Sequence, residues 1–440
     1  MCWFCFLVQC SLSDPSACLP TILFVDHLLK FTQDICNFWF YLLQAIMDLR
    51  HLDKFKITIS PIKGTRHLQV SAYLDERKGK GTVRIITMFY RPGPHELQCI
   101  FNCNKGVPFT TPAQVEQHSD NFGFPFVTAD VFCETSYRCK ATHVGLQTQG
   151  SVQNNDSLMP IQNLQQRNNG FERDLTVCIS NLFGDYNNVL QFIQTMEVYK
   201  ILGIGRVVIY NTSSSHMLEK VLHYYVNEDM LEVIPWPISH FLNPSRGWRF
   251  EEHGGDIHYF GQLTTLNDCI YRNMYKSRFL LLNDIDEIIA PYQHTNLNLM
   301  MDELEKKQPD TCVFLVENHT YPFNVFEDSG RFNLSLWRQV PGINIMKHIH
   351  REPDRKHIVN PIKIIVNPRK VEQTSVHSVL KRFGNQYRVP FDLCRIVHVR
   401  VPLQGHLSKE ELIVDTKLWE YHKELVPRVN KVSFMHPAPP

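Results

Sequence analysis

The chain has 440 residues, of which 43% are hydrophobic and 11% aromatic, and a formal net charge of +1. This composition excludes a disordered protein, and the length predicts about two or three folded domains. Because acids and bases are nearly balanced and no long basic run is present, a nucleic-acid partner has no electrostatic support. Small molecules or glycans are the expected ligands.

Residues 1–54 form an apolar, cysteine-rich leader. Three aspartates, Asp14, Asp26 and Asp34, divide it into apolar stretches shorter than the ~20 residues that a membrane helix needs. It also lacks the basic flank and the small-residue cleavage site that mark a signal peptide. We interpret the leader as an atypical start and a candidate remnant of a membrane anchor, through which any membrane association would occur.

Residues 55–145 have the pattern of a small β-rich accessory domain. Short runs that alternate apolar and polar side chains, such as residues 69–73 and 82–86, are separated by Gly and Pro, which is typical of antiparallel strands. Residues 146–172 are rich in Gln, Asn and Ser and poor in aromatic side chains. We expect a flexible linker there.

Eight of the 13 cysteines follow the leader. Four of these lie in the predicted β-rich domain, namely Cys99, Cys103, Cys133 and Cys139. Their clustering favours disulfide bonds and a secretory-pathway compartment. A zinc site is the alternative, although the spacings are not Cys-x-x-Cys. Glycosylation sequons, which fit the same compartment, begin at Asn155, Asn318 and Asn333.

Residues 173–400 alternate between strand and helix patterns. The predicted series is strand 174–180, helix 188–202, strand 206–210, helix 216–227, strand 231–234, helix 262–276 and strand 278–282. This order predicts an α/β fold with a doubly wound, mostly parallel, Rossmann-like sheet. No glycine-rich phosphate loop follows the first strand, so a nucleotide would be held through metal and side chains. Residues 401–440 are expected to form a helical tail.

The strand at 278–282 runs directly into two aspartates, Asp284 and Asp286. Ligands of open α/β sheets bind at the carboxyl ends of strands, and alternation along an extended segment turns both carboxylates the same way. A hard divalent metal would relieve their repulsion and could in turn bind a pyrophosphate. The Asp-x-Asp pattern also arises by chance in loops. An EF-hand is excluded because the following residues lack its oxygen ligands and its glycine.

Several segments of the chain, taken in order, are similar to a known family. They are residues 207–211, 261–262, 267–269, 284–287 with Pro291, 376–378 and 396–400. In order and spacing they resemble glycosyltransferase family 92, whose members are metal-dependent enzymes of the GT-A fold. The resemblance implies a GT-A catalytic domain at residues 173–400. It further implies transfer of a hexose, with galactose favoured, from a UDP-sugar to a glycan or glycoprotein acceptor with inversion at the anomeric carbon.

The resemblance also implies roles for individual side chains. Asp284, Asp286 and His398 would hold Mn²⁺ or another divalent metal, and a structural histidine is the alternative for His398. The residues that would contact the UDP-sugar are Asn211, Arg249, Gln262, Asp268 and Asp284, and those that would line the site are His377 and Trp248. The expected location is the Golgi or another secretory-pathway membrane, with the catalytic domain in the lumen.

Two of these roles have structural alternatives. Asp268 could instead neutralise Arg272, which lies four residues later on the same predicted helix. Residues 236–250 combine aromatic side chains with arginines, which suits a mobile lid over a sugar and a phosphate. A surface loop packed by its own aromatic side chains would have the same composition.

An inverting transfer needs a carboxylate that takes the proton of the acceptor hydroxyl. Glu317, which follows the predicted buried strand 312–316, is the first candidate and Asp328 is the second; a solvated loop acid is the alternative for both. The alternative to an enzyme is a non-catalytic glycan- or metal-binding protein that has kept the fold. The presence of both acids and both motif histidines favours the enzyme.

Overall fold

A computed structural model of the chain describes residues 58–435, except for residues 80, 94–95, 105–106, 151–157, 165–169 and 356. The predicted leader, the sequon at Asn155 and part of the predicted linker therefore lie outside the described residues. None of the helices in the described residues is long and apolar enough to cross a membrane.

Eight strands in the first part of the described chain form a purely antiparallel sheet. They are β1 (Ser60–Pro61), β2 (Leu68–Asp75), β3 (Thr82–Tyr90), β4 (Leu97–Cys103), β5 (Phe109–Gln117), β6 (Phe126–Glu134), β7 (Ala141–Thr148) and β8 (Met159–Pro160). Their spatial order is β1-β2-β3-β6-β5-β4-β7-β8, and each neighbouring pair is antiparallel. The alternating runs at 69–73 and 82–86 lie in β2 and β3.

Two disulfide bonds join parts of this sheet. Cys99 of β4 is bonded to Cys133 of β6, and Cys103 at the end of β4 is bonded to Cys139. The disulfide prediction for these four cysteines is confirmed, which excludes the zinc alternative. The bonded residues are 34 and 36 positions apart, so each bond is expected to contribute about 3 kcal/mol by restricting the unfolded chain.

Nine strands form a second, mixed sheet. They are β9 (Arg173–Leu182), β10 (Arg206–Asn211), β11 (Leu231–Pro235), β12 (Ser277–Asn283), β13 (Glu287–Pro291), β14 (Thr311–Pro322), β16 (Ile362–Val366), β19 (Asn385–Arg388) and β20 (Cys394–Arg400). Two short pairs are separate from it: β15 (His350–Arg351) with β21 (Ile413–Val414), and β17 (Val371–Thr374) with β18 (Val379–Arg382). The order in the mixed sheet is β11-β10-β9-β12-β16-β14-β20-β13, with β19 beside β14.

Only one side of the mixed sheet follows the predicted strand-helix-strand series. Strands β11, β10, β9 and β12 are parallel neighbours, and β14 is parallel to β19 and β20. Strand β16 is antiparallel to both β12 and β14, and β13 is antiparallel to β20. The predicted α/β fold with a GT-A-type, doubly wound, mostly parallel sheet is therefore wrong. The described chain is β-rich, with extensive antiparallel pairing and six short α-helices.

The wrong prediction has a local cause. After β12 the chain makes a tight turn, in which the N–H of Glu287 donates to the carbonyl of Asp284 at 3.2 Å, and β13 begins at once. The crossover helix that a parallel neighbour requires is absent from this described segment. An apolar run that is buried on both faces has the same pattern whether its neighbours are parallel or antiparallel. The sequence therefore predicted the parallel strands β9–β12 correctly but missed β13 and the antiparallel direction of β16.

The described residues contain six α-helices, which cover both faces of the mixed sheet. They are α1 (Val189–Ile201), α2 (His216–Asn227), α3 (Phe250–His253), α4 (Gln262–Asn273), α5 (Leu297–Lys307) and α6 (His422–Met435). Helices α1, α2, α5 and α6 share one apolar cluster with one face of the sheet. Helix α4 packs on the other face.

Helix α4 fills the space between the two sheets. Leu266 and Ile270 of this helix are buried in an apolar cluster with residues of β2 and β3 from the first sheet and of β10 and β12 from the second. Burial of each such side chain contributes about 2 kcal/mol. A third disulfide, Cys178–Cys269, joins β9 to α4. The helix is thus fixed beside the strands that carry the candidate site.

Candidate active site

The turn between β12 and β13 is held by its own side chains. The Asn283 amide donates to the Tyr199 hydroxyl at 2.6 Å and to the Glu287 carbonyl at 2.8 Å. The Glu287 carboxylate accepts the backbone N–H of Asp284 at 2.9 Å. The side chains of Asp284 and Asp286 are 39% and 37% exposed. The turn therefore presents two carboxylates to solvent from a fixed backbone.

His398 lies on one side of these carboxylates. It belongs to β20, between β13 and β14, where it pairs with Glu287 on one neighbour and Thr320 on the other. Its Nε2 is 3.2 Å from Asp286 Oδ2, and its Nδ1 is 3.4 Å from Glu287 Oε1. Asn318 Nδ2 donates to Glu287 Oε1 at 2.9 Å and is 3.1 Å from His398 Nδ1. Asp286 thus contacts an imidazole that β14 and β13 hold in place.

Lys363 of β16 lies on the other side. Its Nζ is 2.8 Å from Asp284 Oδ2 and 3.2 Å from Glu287 Oε2, and its side chain is 2% exposed. At the start of α4, Gln262 Nε2 donates to Asp284 Oδ1 at 3.3 Å and to Ser180 Oγ at 3.0 Å. We call this group of charged residues the acid cluster, which consists of Asp284, Asp286, Glu287, Lys363 and His398.

The charges in the acid cluster shift one another's pKa values. Burial would raise the pKa of Asp286, but the hydrogen bond and charge of His398 outweigh burial and hold that pKa below its usual value. Burial would lower the pKa of His398, but the carboxylates of Asp286 and Glu287 raise it above its usual value. Burial also raises the pKa of Glu287, even though the positive charge of Lys363 opposes this. Asp286 and His398 therefore stabilise each other's charged form.

Two of the three predicted metal ligands, Asp286 and His398, have the spacing of neighbouring metal ligands. Metal–ligand bonds of about 2.1 Å place neighbouring ligand atoms about 3.0–3.4 Å apart, and Asp286 Oδ2 and His398 Nε2 are 3.2 Å apart. The carboxylate oxygens of Asp284 instead accept hydrogen bonds from Gln262 and Lys363. Two carboxylates and one imidazole are a donor set that Mn²⁺ or Zn²⁺ accepts.

Trp248 and His377 form a stacked pair beside the acid cluster. Their ring centroids are 5.5 Å apart with an interplanar angle of 11°. His377 Nδ1 donates to the carbonyl of Ile362 at 2.7 Å, immediately before Lys363. Burial, followed by the charge of Lys363, lowers the pKa of His377 below its usual value. Trp248 is 40% exposed, so this pair presents an aromatic face near Lys363; that it forms the wall of a sugar site stays a prediction.

Two residues that were expected to contact the UDP-sugar form their hydrogen bonds elsewhere. Arg249 is mostly exposed and pairs with Glu252 at 3.3 Å. Asn211, at the end of β10, donates to Ser214 Oγ at 3.1 Å. Among the described residues, neither hydrogen bond leads to the acid cluster. Among the residues predicted to contact the UDP-sugar, Gln262 donates a hydrogen bond to Asp284.

Asp268 lies inside the protein on α4. Its carboxylate accepts hydrogen bonds from the hydroxyls of Ser71, Tyr73 and Tyr210. It also accepts from Arg272 Nε at 2.9 Å. Burial would raise its pKa, but Arg272 and the three hydroxyls hold that pKa below its usual value. The side chain is completely buried, and its oxygens are used within the fold. This contact with Arg272 is the one that the sequence analysis named as the alternative to a contact between Asp268 and the UDP-sugar.

Neither candidate base contacts the acid cluster. Glu317 precedes Asn318 on β14 and therefore faces the opposite side of the strand, where it accepts from Asn360 Nδ2 at 2.8 Å. The side chain of Asp328 is 88% exposed and accepts from Lys409 Nζ at 2.6 Å. The structure thus places both acids away from Asp286 and His398.

Sequence reasoning did not assign Glu287, Lys363 or Asn318 to the site. Lys363 is the single charged residue in the apolar run 362–366, which is a signal that a buried partner is needed. Asn318 carries a sequon, but it is 5% exposed and donates to Glu287. The sequon expectation at Asn318 is therefore wrong for the folded chain. Asn333, by contrast, is exposed.

Comparison with known proteins identifies a family whose sequence profile matches this chain. The sequence profile of glycosyltransferase family 92 matches residues 173–428, more than half of the chain. Beta-1,4-galactosyltransferase galt-1 of Caenorhabditis elegans is 25% identical over 123 residues. That match covers 28% of this chain and 26% of the relative, so the chain spans about a quarter of that relative's length.

Two solved structures show weaker similarity. The bifunctional IspDF from Campylobacter jejuni aligns with a TM-score of 0.24 at 9% identity, over 49% of this chain and 49% of that one. S. aureus TarS 1-349 aligns with a TM-score of 0.24 at 12% identity, over 61% of this chain and 67% of that one. Neither score is high enough to establish a shared fold.

Proposed function

The chain belongs to glycosyltransferase family 92, and we propose that it is a glycosyltransferase whose active centre is the acid cluster. It transfers a hexose from a UDP-sugar to a glycan or glycoprotein acceptor, with inversion at the anomeric carbon. The observation that carries this proposal is the 3.2 Å contact between Asp286 and His398 beside the half-exposed Asp284. A site of this kind combines fixed partners with two carboxylates that are partly exposed to solvent.

Asp284, Asp286 and His398 are the residues that would hold Mn²⁺ or another divalent metal. When bound, the ion would offset the negative charge that UDP gains as the bond between sugar and phosphate breaks. The protein contributes the arrangement of these ligands before the donor arrives. Gln262 and Lys363 hold the Asp284 carboxylate, whose rotation they restrict.

Lys363 reduces the electrostatic cost of placing three carboxylates in one small volume. Its ammonium group contacts Asp284 and Glu287 and is almost fully buried. Burial alone would lower the pKa of Lys363, but these two carboxylates raise it above its usual value, so the group stays charged at neutral pH. On the other side, Asn318 contributes a hydrogen bond without a charge, since its amide donates to Glu287 and lies 3.1 Å from His398 Nδ1.

The donor and the compartment have separate support. The partial relative is a beta-1,4-galactosyltransferase by name, which favours UDP-galactose as the donor. Three disulfide bonds favour an oxidising compartment, consistent with a lumenal catalytic domain in the Golgi or another secretory-pathway membrane. Attachment through residues 1–54 stays a prediction, and so does the base of the inverting step, whose two candidates, Glu317 and Asp328, both make contacts away from the acid cluster.

Hydrolysis of UDP-sugars tests this proposal without knowledge of the acceptor. We expect the purified chain to hydrolyse UDP-galactose faster than other UDP-sugars, and only with Mn²⁺. Asp286→Ala should reduce this rate at least ~100-fold through loss of a metal ligand. Asp302→Ala is the matched control, since Asp302 is 54% exposed and pairs with Arg278 outside the site. Equal rates in wild type and Asp286→Ala would refute the assignment of the active centre.

A further inference from the structure

A second group of metal-ligating side chains lies on the opposite face of β14 from the acid cluster. Glu317 and His319 are two residues apart on this strand and therefore face the same side. His319 Nε2 is 3.8 Å from Glu317 Oε1, and His319 Nδ1 is 3.8 Å from Asp354 Oδ1. Each residue offers a ligand atom within 4.8 Å of the other two. We call Glu317, His319 and Asp354 the β14 cluster.

His319 is the unusual member of the β14 cluster. Its side chain is 2% exposed, and neither ring nitrogen has a hydrogen-bond partner among the described residues. Buried polar groups in folded proteins are almost always paired, because an unpaired one loses its interaction with water and gains nothing in return. Both nitrogens instead face carboxylates at distances too long for a hydrogen bond. The two ring nitrogens thus face different carboxylates, Nε2 towards Glu317 and Nδ1 towards Asp354, and an ion at a ligand position between Glu317 and Asp354 would bind one of them.

Asn360 completes this position. Its Nδ2 donates to Glu317 Oε1 at 2.8 Å and to Asp354 Oδ1 at 3.0 Å, so its amide group sits between the two carboxylates. Rotation of the amide by half a turn exchanges its nitrogen and oxygen. The oxygen would then point at the same position. With the amide in that orientation, an ion there would have four ligand atoms: two carboxylate oxygens, one imidazole nitrogen and one amide oxygen.

From this geometry we propose that the β14 cluster, together with Asn360, binds a Zn²⁺ ion. A tetrahedral ion with bonds of about 2.1 Å places its ligand atoms about 3.4 Å apart, whereas one ligand atom from each residue of the cluster lies within 4.8 Å of the other two, so the side chains would move closer around a bound ion. An imidazole ligand disfavours Ca²⁺ and Mg²⁺, which prefer oxygen only. Arg388 does not block the position, since it contacts the other oxygen of Glu317, Oε2, at 3.5 Å.

The proposed ion would stabilise the start of β16. Asp354 and Asn360 lie in the connection between β15 and β16, whereas Glu317 and His319 lie in β14. An ion at the β14 cluster would therefore fasten this connection to the strand beside it. Strand β16 begins at Ile362, and Lys363 follows with its contacts to the acid cluster. The ion is a structural support for the position of Lys363, distinct from any metal held by Asp286.

Zinc titration of the full chain tests the proposal. Metal is first removed with a chelator, and Zn²⁺ is then titrated in competition with a chromophoric chelator. The titration is done in an Asp286→Asn background, which weakens metal binding at the acid cluster, and only the change caused by each added substitution is compared. Asp354→Asn and His319→Gln are added singly to this background, and Asp392→Asn, an exposed acid elsewhere, is the matched control. Circular dichroism checks that each variant is folded.

We expect the Asp286→Asn chain to bind one Zn²⁺ ion. Asp354→Asn and His319→Gln should each weaken this binding about 10–100-fold, and Asp392→Asn should leave it unchanged. Because Asp354 is 64% exposed, its substitution removes a ligand without disturbing the interior, and it is informative even if His319→Gln fails to fold. Zinc affinity that is the same with and without Asp354→Asn would overturn the proposal. So would the absence of zinc binding by the Asp286→Asn chain, and neither result depends on whether the chain transfers a sugar.

Discussion

Asp286 and Asp268 are both acids that the sequence placed at the site, yet they lie in opposite environments. The Asp268 side chain is 0% exposed and accepts hydrogen bonds from three hydroxyls and one arginine. The Asp286 side chain is 37% exposed and contacts one histidine. The pKa of each carboxyl is held below its usual value by its partners, even though burial opposes this. Asp286 and Asp268 therefore differ in their exposure and in how many of their oxygens have partners. They do not differ in the direction of their pKa shifts.

The comparison has an energetic basis. A charge that is taken fully out of water needs partners for all of its oxygens, and removal of those partners is strongly destabilising. A half-exposed carboxylate keeps some of its hydration, so its contacts contribute less to stability and its oxygens remain available to a ligand. Asp268 should thus act mainly on folding, and Asp286 mainly on ligand binding.

The largest effect on stability is expected for Asp268→Ala. This substitution removes the buried carboxylate partner of Arg272, which keeps only Gln162 and a 3.9 Å approach to Glu232, so the free energy of unfolding should fall by about 3–5 kcal/mol. Urea denaturation followed by circular dichroism measures the change. Asp302→Ala, which removes an exposed partner of Arg278, should change it by less than about 1 kcal/mol. A similarly small effect for Asp268→Ala would remove the distinction between the two acids.

A smaller loss is expected for Lys363→Met. Without the ammonium group, Asp284 and Glu287 repel each other, and the free energy of unfolding at pH 8 should fall by about 3 kcal/mol. The pKa of Glu287 is already raised by burial, so at pH 5 this carboxyl can take up a proton and the loss should be smaller. Denaturation at both pH values tests this, with Lys409→Met as the control for a more exposed pair. An equal loss at both pH values would mean that repulsion is not the cause.

The smallest effect concerns the pair His398 and Asp286 in metal-free protein. The folded pKa of His398 is raised, so its stabilisation is complete below the unfolded value of about 6.5 and is lost as pH rises through the folded value. The folded pKa of Asp286 is lowered, so its contribution is present above about pH 3.9 and is lost as pH falls through the folded value. The pair should therefore stabilise most between about pH 4 and 6.5.

Melting temperatures of His398→Gln and wild type across pH 4–9 test this expectation. The wild type should melt at a higher temperature than the variant, most clearly near pH 5–6. The corresponding difference in the free energy of unfolding is about 0.5–1 kcal/mol for a partly exposed pair, and it should disappear towards pH 9. His223→Gln, an exposed histidine on α2, is the control and should show no such trend. A difference that grows with pH would contradict the mutual stabilisation of the two charges.

The sequence predicted the parts of this site that depend on local pattern. The buried strand that ends at Asn283 and the two aspartates after it are adjacent in the chain, so their proximity needs no knowledge of the fold. His398 was placed with them by family resemblance. The structure brings it to Asp286 through the pairing of β20 with β13, a contact between segments about a hundred residues apart that no local pattern contains.

The parts that sequence reasoning missed depend on strand direction and on which face of a strand meets the site. Glu317 and Asn318 are neighbours on β14, and alternation sends one to each face. Only the register with β20 shows that Asn318 is the residue on the site side. Lys363 reaches Asp284 because β16 is antiparallel to β12, and an apolar run does not encode that direction. A parallel sheet was predicted for the same reason, because the sequence pattern of a buried strand does not show its direction.

The dependence of UDP-galactose hydrolysis on Mn²⁺ concentration, in wild type and in His398→Ala, tests the central claim most directly. If Asp286 and His398 share one metal, the variant should need about 10–100-fold more Mn²⁺ for half-maximal activity, and added metal should partly restore its rate. If His398 only packs between β13 and β14, the variant should melt at a lower temperature while its metal dependence stays that of the wild type. Identical metal curves for the two proteins would contradict the account.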